Sequence, residues 1–369
     1  MTDTAAERPL LRIHSLRVRA VSVPLRLPLA TRSGSVATAP LVLLDLHTDQ
    51  GVTGRAYLFC VTPLALKPMV RLLDNLAPTL QGQALAPLAL YQQLQRQFRL
   101  LGTEGLTGMA IAAIDMAAWD ALAQAQGLPL VRLLGAQPRP LPAYNSNGLG
   151  LMGLAALADQ APRLLARGFT AIKLRLGHAD AAADLAAVHA VRQVVGEGVH
   201  LMTDYNQGLS VAEAGQRLAA LAGAGLAWVE EPTLSADTAG HARLRQKATM
   251  PVQLGENWWG PLAMAQALAA GACDLAMPDV MRIGGVSGWL QAATLASTAG
   301  MPLSSHLFPE ISAHLLAASA TAHWLEYVDW AEPVLRTPLR IEGGMAHPSQ
   351  TPGTGVDWDE AAVARYAAD

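Results

Sequence analysis

Asp204, Glu230 and Glu256 recur at one interval, 204 to 230 to 256, each at the end of a short apolar run. Three carboxylates brought together would repel one another and raise their own pKa values unless a cation neutralises them. An all-oxygen donor set suits Mg²⁺, which keeps coordination positions for water or substrate. Taken singly, each is as readily an ordinary strand-end acid paired with an arginine; three in register point to a metal. Asp279 and His306 sit at the ends of the next two runs. A carboxylate bonded to one imidazole nitrogen fixes the tautomer and raises the basicity of the other, so His306 is the candidate general base. The competing reading is a purely structural His–Asp pair; the place at a strand end, opposite a metal, favours catalysis.

Lys173 and Arg175 lie two residues apart, on one face of a strand. The chain has only three lysines, Lys67, Lys173 and Lys247, against 23 arginines. A lysine at 173 therefore suggests that a compact ammonium is needed there. Glu326 completes the set: a carboxyl beside a bound anion can stay protonated and donate a hydrogen bond. Glu310 reads as a helix N-terminal acid and Glu231 as one half of an ion pair behind the site. His314 and His323 flank an apolar helix and read as packed residues.

The elements that must position these groups change character along the chain. Residues 10–58 read as strands, with alternation over Leu16–Val23 and a short apolar run over Leu41–Leu46. Residues 62–126 read as helices, and Met109–Ala123 is apolar nearly all round, as a buried helix would be. That is an α+β module, residues 1–138. From 139 to 326, short β-like runs alternate with Ala/Leu-rich helical runs. The eight strands are Leu141–Tyr144, Ala171–Leu174, Leu201–Thr203, Ala227–Val229, Val252–Leu254, Leu275–Met277, Pro302–Ser304 and Trp324–Leu325. Eight βα units predict an α/β fold, a (β/α)₈ TIM-like barrel. Such barrels carry their chemistry at the C-terminal ends of the strands, where the residues above fall. The segment 327–369 reads as a tail returning to the first module.

Composition narrows the function classes. Net charge is −3, and no basic tract offers a nucleic-acid footprint. Apolar stretches are broken by polar residues such as Gln266 and Asp274, so no membrane span is expected. Met1–Pro9 carries Asp3 and Glu7 and no apolar run, which reads as lacking a secretory leader. The expected location is cytoplasmic. Cys60 and Cys273 fit neither a disulfide framework nor a metal motif. Charged residues make up 15%, low for a soluble domain, which suggests surface hidden in a homo-oligomer.

The constellation resembles the enolase superfamily, and within it the mandelate racemase/muconate lactonizing enzyme family. The matching segments run in order through nearly the whole chain. They are VPL at 23–25, TAPLVLLDL at 38–46, AIDMAAWDAL at 113–122, DYNQ at 204–207, WVEEPTL at 228–234, PVQLGENW at 251–258, LAMPDVMRIGGVSGW at 275–289 and SSHLFPEISAHLLAA at 304–318. The resemblance implies roles. Asp204, Glu230 and Glu256 match the magnesium ligands, and His306 with Asp279 the base for one enantiomer's α-proton. Glu326 and Lys173 match groups that bind the substrate carboxylate, Asn206 a residue beside the metal, and Ser146 a serine near the substrate. The N-terminal module matches a capping domain whose loop near Thr31–Val36 closes over the site, with Tyr57 and Phe59 lining it. One departure matters: the family pattern on strand two is Lys-x-Lys, the second lysine being the other base, and here it is Arg175.

The implied activity is Mg²⁺-dependent abstraction of the α-proton of a 2-hydroxy acid, followed by racemisation or epimerisation. Arginine is a poor base, so an alternative is an acid-sugar (aldonate or aldarate) dehydratase that uses His306 alone. A reading from another class is a catalytically silent barrel that binds a small acid. The expected partner in each case is a small-molecule carboxylate.

Overall fold

The computed structural model describes residues 11–368; the leader reading at Met1–Pro9 lies outside them. Three antiparallel strands open the described chain: β1 (Ile13–Thr31), β2 (Gly34–Thr48) and β3 (Thr53–Phe59), in the order β1-β2-β3. Helices α1 (Leu66–Leu80), α2 (Pro87–Gln97) and α3 (Gly105–Ala125) follow. β1 and β2 run beyond the alternating segments visible in sequence. Their register shifts between Pro24 and Leu29, and the hairpin continues to a tip at Thr31–Gly34. There it leaves its own core, so burial no longer dictates alternation.

α3 is the one described helix long and apolar enough to cross a membrane, and it is buried in the core of the protein. Its two carboxylates are internal anchors. Asp115 accepts from the backbone and hydroxyl of Ser287 at 2.9 and 2.5 Å, and burial pushes its carboxyl up to about 7. Asp120 accepts from the backbone of Arg55 and of Thr354, which ties β3 and the C-terminal tail to one helix. Gly54 on β3 lets the helix approach: a Cβ there would lie 1.9 Å from Ala117 O.

After the short helix α4 (Leu130–Leu133), eight parallel strands form a closed barrel. They are β4 (Leu141–Asn145), β5 (Ala171–Arg175), β6 (His200–Asp204), β7 (Leu226–Glu230), β8 (Val252–Leu254), β9 (Leu275–Ala276), β10 (Leu303–Ser305) and β11 (Ala322–Tyr327). β11 pairs with β4 through Leu325–Ala143, Glu326–Tyr144 and Tyr327–Asn145, which closes the ring. The intervening helices are α5 (Leu154–Gln160), α6 (Ala181–Val195), α7 (Val211–Ala220), α8 (Thr238–Arg245), α9 (Gly260–Ala269), α10 (Gly285–Ala299) and α11 (Pro309–Ala317). Inside, Tyr144, Ala171, Met202, Trp228 and Met277 pack together below the mouth. This plug is a side-chain core, so chemistry is confined to the strand ends above it.

The tail serves both parts. Strands β12 (Arg340–Glu342) and β13 (Met345–His347) add to the start of β4. The last helix, α12 (Glu360–Arg365), leads to residues that pair with β1, Ser22 N donating to Tyr366 O. Cys60 and Cys273 are free and buried, and burial pushes both thiols up to about 12.

Candidate active site

A cavity of about 390 Å³ opens at the C-terminal ends of the barrel strands, under the β1–β2 hairpin. The strand ends bring Lys173, Arg175, Asp204, Glu256, Asp279, His306 and Glu326 to it. Glu230 lies at its base, fully buried. The parallel register explains the convergence: Arg175 pairs with Asp204, and Asp204 with Glu230. Carboxylate oxygens of Asp204, Glu230 and Glu256 lie within 4.8 Å of one another.

The electrostatics of this cluster are those of a cation site. Burial, and then repulsion from Glu256, raises the Asp204 carboxyl above its ordinary value despite the nearby Lys173. Burial raises Glu230 further, with Asp204 and Glu256 adding to it. Burial acts in the same sense on Glu256, but His306 and Lys173 outweigh it and hold that carboxyl low. The donors are hard oxygens at short mutual separation and buried, so the residues fit Mg²⁺.

Lys173 Nζ stands among them, 2.8 Å from Glu326, 3.1 Å from Glu230 and 3.3 Å from Asp204. Burial alone would depress the ammonium, but Glu230, Glu326 and Asp204 reverse that and hold it above the usual lysine range. The Arg-rich background makes this lysine legible in sequence: three converging carboxylates leave room for an ammonium and not for a guanidinium fork.

His306 Nδ1 is 2.7 Å from Asp279 Oδ2, and its Nε2 faces Glu256 at 3.3 Å. Asp279 is itself fixed, accepting from the backbone of Met281 and Arg282. Burial works against a charged imidazole, but Glu256, Glu326 and Asp279 together raise the His306 pKa above its ordinary value. After His306 the chain passes through Leu307 and Phe308, both with positive φ (49° and 48°). That turn aims Leu307 N at Glu326, to which it donates at 2.9 Å.

Tyr57 and Glu231 depart from expectation, and Glu326 is paired with Lys173 at 2.8 Å. Burial would raise it, but Lys173, then His306, hold it well below the carboxylate range. Ser146 does not line the cavity. It is fully buried one contact away from it, its hydroxyl accepting from Arg175 Nη2 at 2.9 Å and donating to Glu326, both of which line the cavity. Tyr57 is likewise absent from the cavity wall. Its hydroxyl donates to Glu310 at 2.7 Å and its ring packs on Phe308, so it ties the cap sheet to the barrel. Phe59, two residues further along β3, reaches the cavity and packs on Trp330. Among the described residues Glu231 forms no ion pair with a basic residue; it accepts twice from the Asn257 side chain, at 2.7 and 2.9 Å.

Arg175 reaches the cavity but is clamped. Its Nη1 donates to the carbonyls of Ser146 (2.6 Å) and Gly148 (3.2 Å), while Nε has no partner. Asn206 lies beside the cluster, its backbone and side-chain nitrogens donating to the two oxygens of Asp204 at 2.7 and 3.0 Å. His314 and His323 are outside the site. Burial lowers His314 to about 4, and its Nε2 lies 3.1 Å from Thr354 O.

Residues that sequence reasoning missed are Arg282, Asn257, Gln207, Met281, Leu29 and Trp330, all lining the cavity. Arg282 stacks over Trp259 at 5.6 Å and donates to Glu256 O. Its place three residues past Asp279 was a usable signal. Trp330 lies beyond the last strand and carried none.

Comparison with known proteins agrees with this geometry. The model of the mandelate racemase/muconate lactonizing enzyme N-terminal domain matches residues 13–135, and that of the enolase C-terminal domain-like family matches 156–362. The 3,6-anhydro-alpha-L-galactonate cycloisomerase of Streptomyces coelicolor is 30% identical over 350 residues, 93% of this chain and 97% of that protein. A Bradyrhizobium enolase crystallised with magnesium and mandelic acid is 45% identical, with a TM-score of 0.93 over 98% of this chain and 99% of its own. An L-talarate dehydratase from Polaromonas sp. JS666, crystallised with Mg and L-glucarate, is 29% identical, with a TM-score of 0.88 over 97% and 98%.

Proposed function

Since the chain belongs to the mandelate racemase/muconate lactonizing enzyme family of the enolase superfamily, we propose that it removes the α-proton of a 2-hydroxy acid, with Mg²⁺ as cofactor and His306 as base. The observation that carries this is the carboxylate cluster facing the His306–Asp279 pair across one cavity. On this reading residues 1–138 form the cap, 139–326 the catalytic barrel, and 327–369 a tail that returns to the cap.

Asp204, Glu230 and Glu256 would hold the metal. Bound there, Mg²⁺ supplies a Lewis-acidic counter-charge for the oxygens of the substrate carboxylate as the α-carbon loses its proton. Lys173 adds a fixed positive charge beside the same oxygens, in a dry site where such charges act strongly. With a substrate carboxylate beside it, Glu326, which accepts from Ser146 and Leu307 N, would take up a proton and donate a hydrogen bond to that carboxylate. His306 Nε2 takes the proton; Asp279 keeps the Nδ1 proton in place and stabilises the imidazolium that forms.

The product depends on the opposite face. Proton return there gives racemisation or epimerisation. The apolar wall of Leu29, Val36, Phe59, Leu307 and Trp330 supports an apolar 2-hydroxy acid, which has no β-hydroxyl to lose. The Bradyrhizobium relative with bound mandelic acid supports the same class. One observation favours a second reading: Arg175, where a second base would stand, is tied to two carbonyls. With His306 as the only base, elimination of a β-hydroxyl from an acid sugar becomes the outcome. Incubation with Mg²⁺ in D₂O, following mandelate enantiomers and an acid-sugar panel, tests both. Loss of optical rotation without keto product supports racemisation; keto acid from a sugar acid supports dehydration.

A further inference from the structure

The tip of the β1–β2 hairpin sits in a slot made by three glycines from separate barrel loops. A Cβ on Gly208 would lie 2.0 Å from Arg32 Cγ and 2.5 Å from its Cβ. One on Gly150 would lie 2.6 Å from Ala30 O, and one on Gly177 3.2 Å from Arg32 Cβ. Gly208 has no left-handed backbone to explain it, so close approach of Arg32 is what requires a glycine there. Leu151 N donates to Ala30 O at 2.7 Å, and Arg32 Nη1 to Gly177 O at 3.3 Å.

Once seated, the hairpin touches one residue of the site by hydrogen bond. Ser33 Oγ donates to Asn206 O at 2.5 Å. Asn206 and Gln207 both have positive φ, 45° and 64°, a conformation that costs energy in residues other than glycine and persists only when its surroundings enforce it. Asn206 in turn holds both carboxylate oxygens of Asp204. The path from cap to metal ligand is thus two residues long.

We propose that Ser33 is a positioning residue for Asp204: the hairpin, seated in the glycine slot, fixes Asn206 and so the metal ligand. Cap seating and metal affinity are then coupled, each strengthening the other. Asn206 bears on Asp204 directly, and Ser33 one bond further out. Its loss weakens the metal by about fivefold, less than the ~10–100-fold of a partner bonded to the ligand itself.

The test reads Mg²⁺ alone by calorimetry, together with tryptic cleavage after Arg32 as a measure of seating. Ser33→Ala binds Mg²⁺ about fivefold more weakly than wild type, and Ser33→Thr, which restores the hydroxyl, lies within about twofold of it. Gly208→Ala, which drives a methyl into Arg32, weakens Mg²⁺ at least as much and speeds cleavage after Arg32 by about tenfold or more. Wild-type affinity in Ser33→Ala, no rescue by Ser33→Thr, or unchanged cleavage in Gly208→Ala would each overturn the proposal. It rests on the metal reading above. Absence of Mg²⁺ binding by the wild-type chain would overturn both, whereas equal binding by wild type and Ser33→Ala overturns only this one.

Discussion

His306 Nδ1 and Asp279 Oδ2 are 2.7 Å apart, and the other oxygen of Asp279 accepts from Met281 N at 2.7 Å. The imidazole therefore cannot rotate its basic nitrogen away from the cavity without breaking a buried bond. His306→Asn lowers the rate of α-proton exchange by about 10²–10⁴-fold. Asp279→Asn, which keeps the shape but loses the tautomer control, lowers it in the same direction. Asp279→Asn retains wild-type Mg²⁺ affinity within about threefold, because Asp279 bonds to His306 and the backbone of Met281 and not to a metal ligand. Exchange rates by NMR and calorimetric titration check the pair.

Lys173 balances three buried carboxylates. Lys173→Met leaves them facing one another, and removing one side of a buried ion pair costs about 3–5 kcal/mol. Metal-free Lys173→Met melts well below wild type, and Mg²⁺ restores a larger share of stability to the variant than to wild type. Thermal unfolding with EDTA and with excess Mg²⁺ measures the difference.

Glu310 lies fully inside the cap–barrel contact, bonded to Tyr57, and burial lifts its carboxyl to about 7. Between its unfolded value of about 4.3 and about 7, the folded state keeps a proton that the unfolded chain has lost. Stability therefore falls as pH rises through that window and levels off above it. The full effect is on the order of 3–4 kcal/mol. Glu310→Gln, neutral throughout, flattens this part of the profile; denaturant unfolding at pH 5 and pH 8 measures it. A variant profile as steep as wild type would assign the slope elsewhere.

On the proposed function, the residue at position 175 governs exchange at the second face. Arg175→Lys installs a titratable amine where the guanidinium is clamped, and a lysine cannot reproduce its three bonds to Ser146 and Gly148. Exchange from the second face of the substrate rises relative to the first. Chiral chromatography of product formed in D₂O reads the ratio. An unchanged ratio would mean that Arg175 already performs the proton transfer.

Much of this was legible in the chain before its structure. The barrel strands announce themselves because each is a short apolar run, and all but the first are closed by a charged or ionisable residue. The site acids were readable for the same reason: a strand end is a fixed place. What failed was a statement about direction. Tyr57 belongs to the right strand, yet it points into the cap–barrel seam, and no local spacing encodes that. The pairing of Glu326 with Lys173 was not legible, because the two come from strands far apart in sequence. Trp330 and the glycine slot depend on the tail and the hairpin folding over the barrel, contacts that arise only in the assembled molecule.

The central claim is that the carboxylate cluster and His306 act together on an α-proton. The most direct measurement is ¹H NMR of a 2-hydroxy acid panel in D₂O with the protein and Mg²⁺. The account predicts loss of the α-proton signal for at least one acid, abolished by EDTA and by His306→Asn. Exchange that persists in His306→Asn, or its complete absence from a Mg²⁺-loaded protein across the panel, would contradict it.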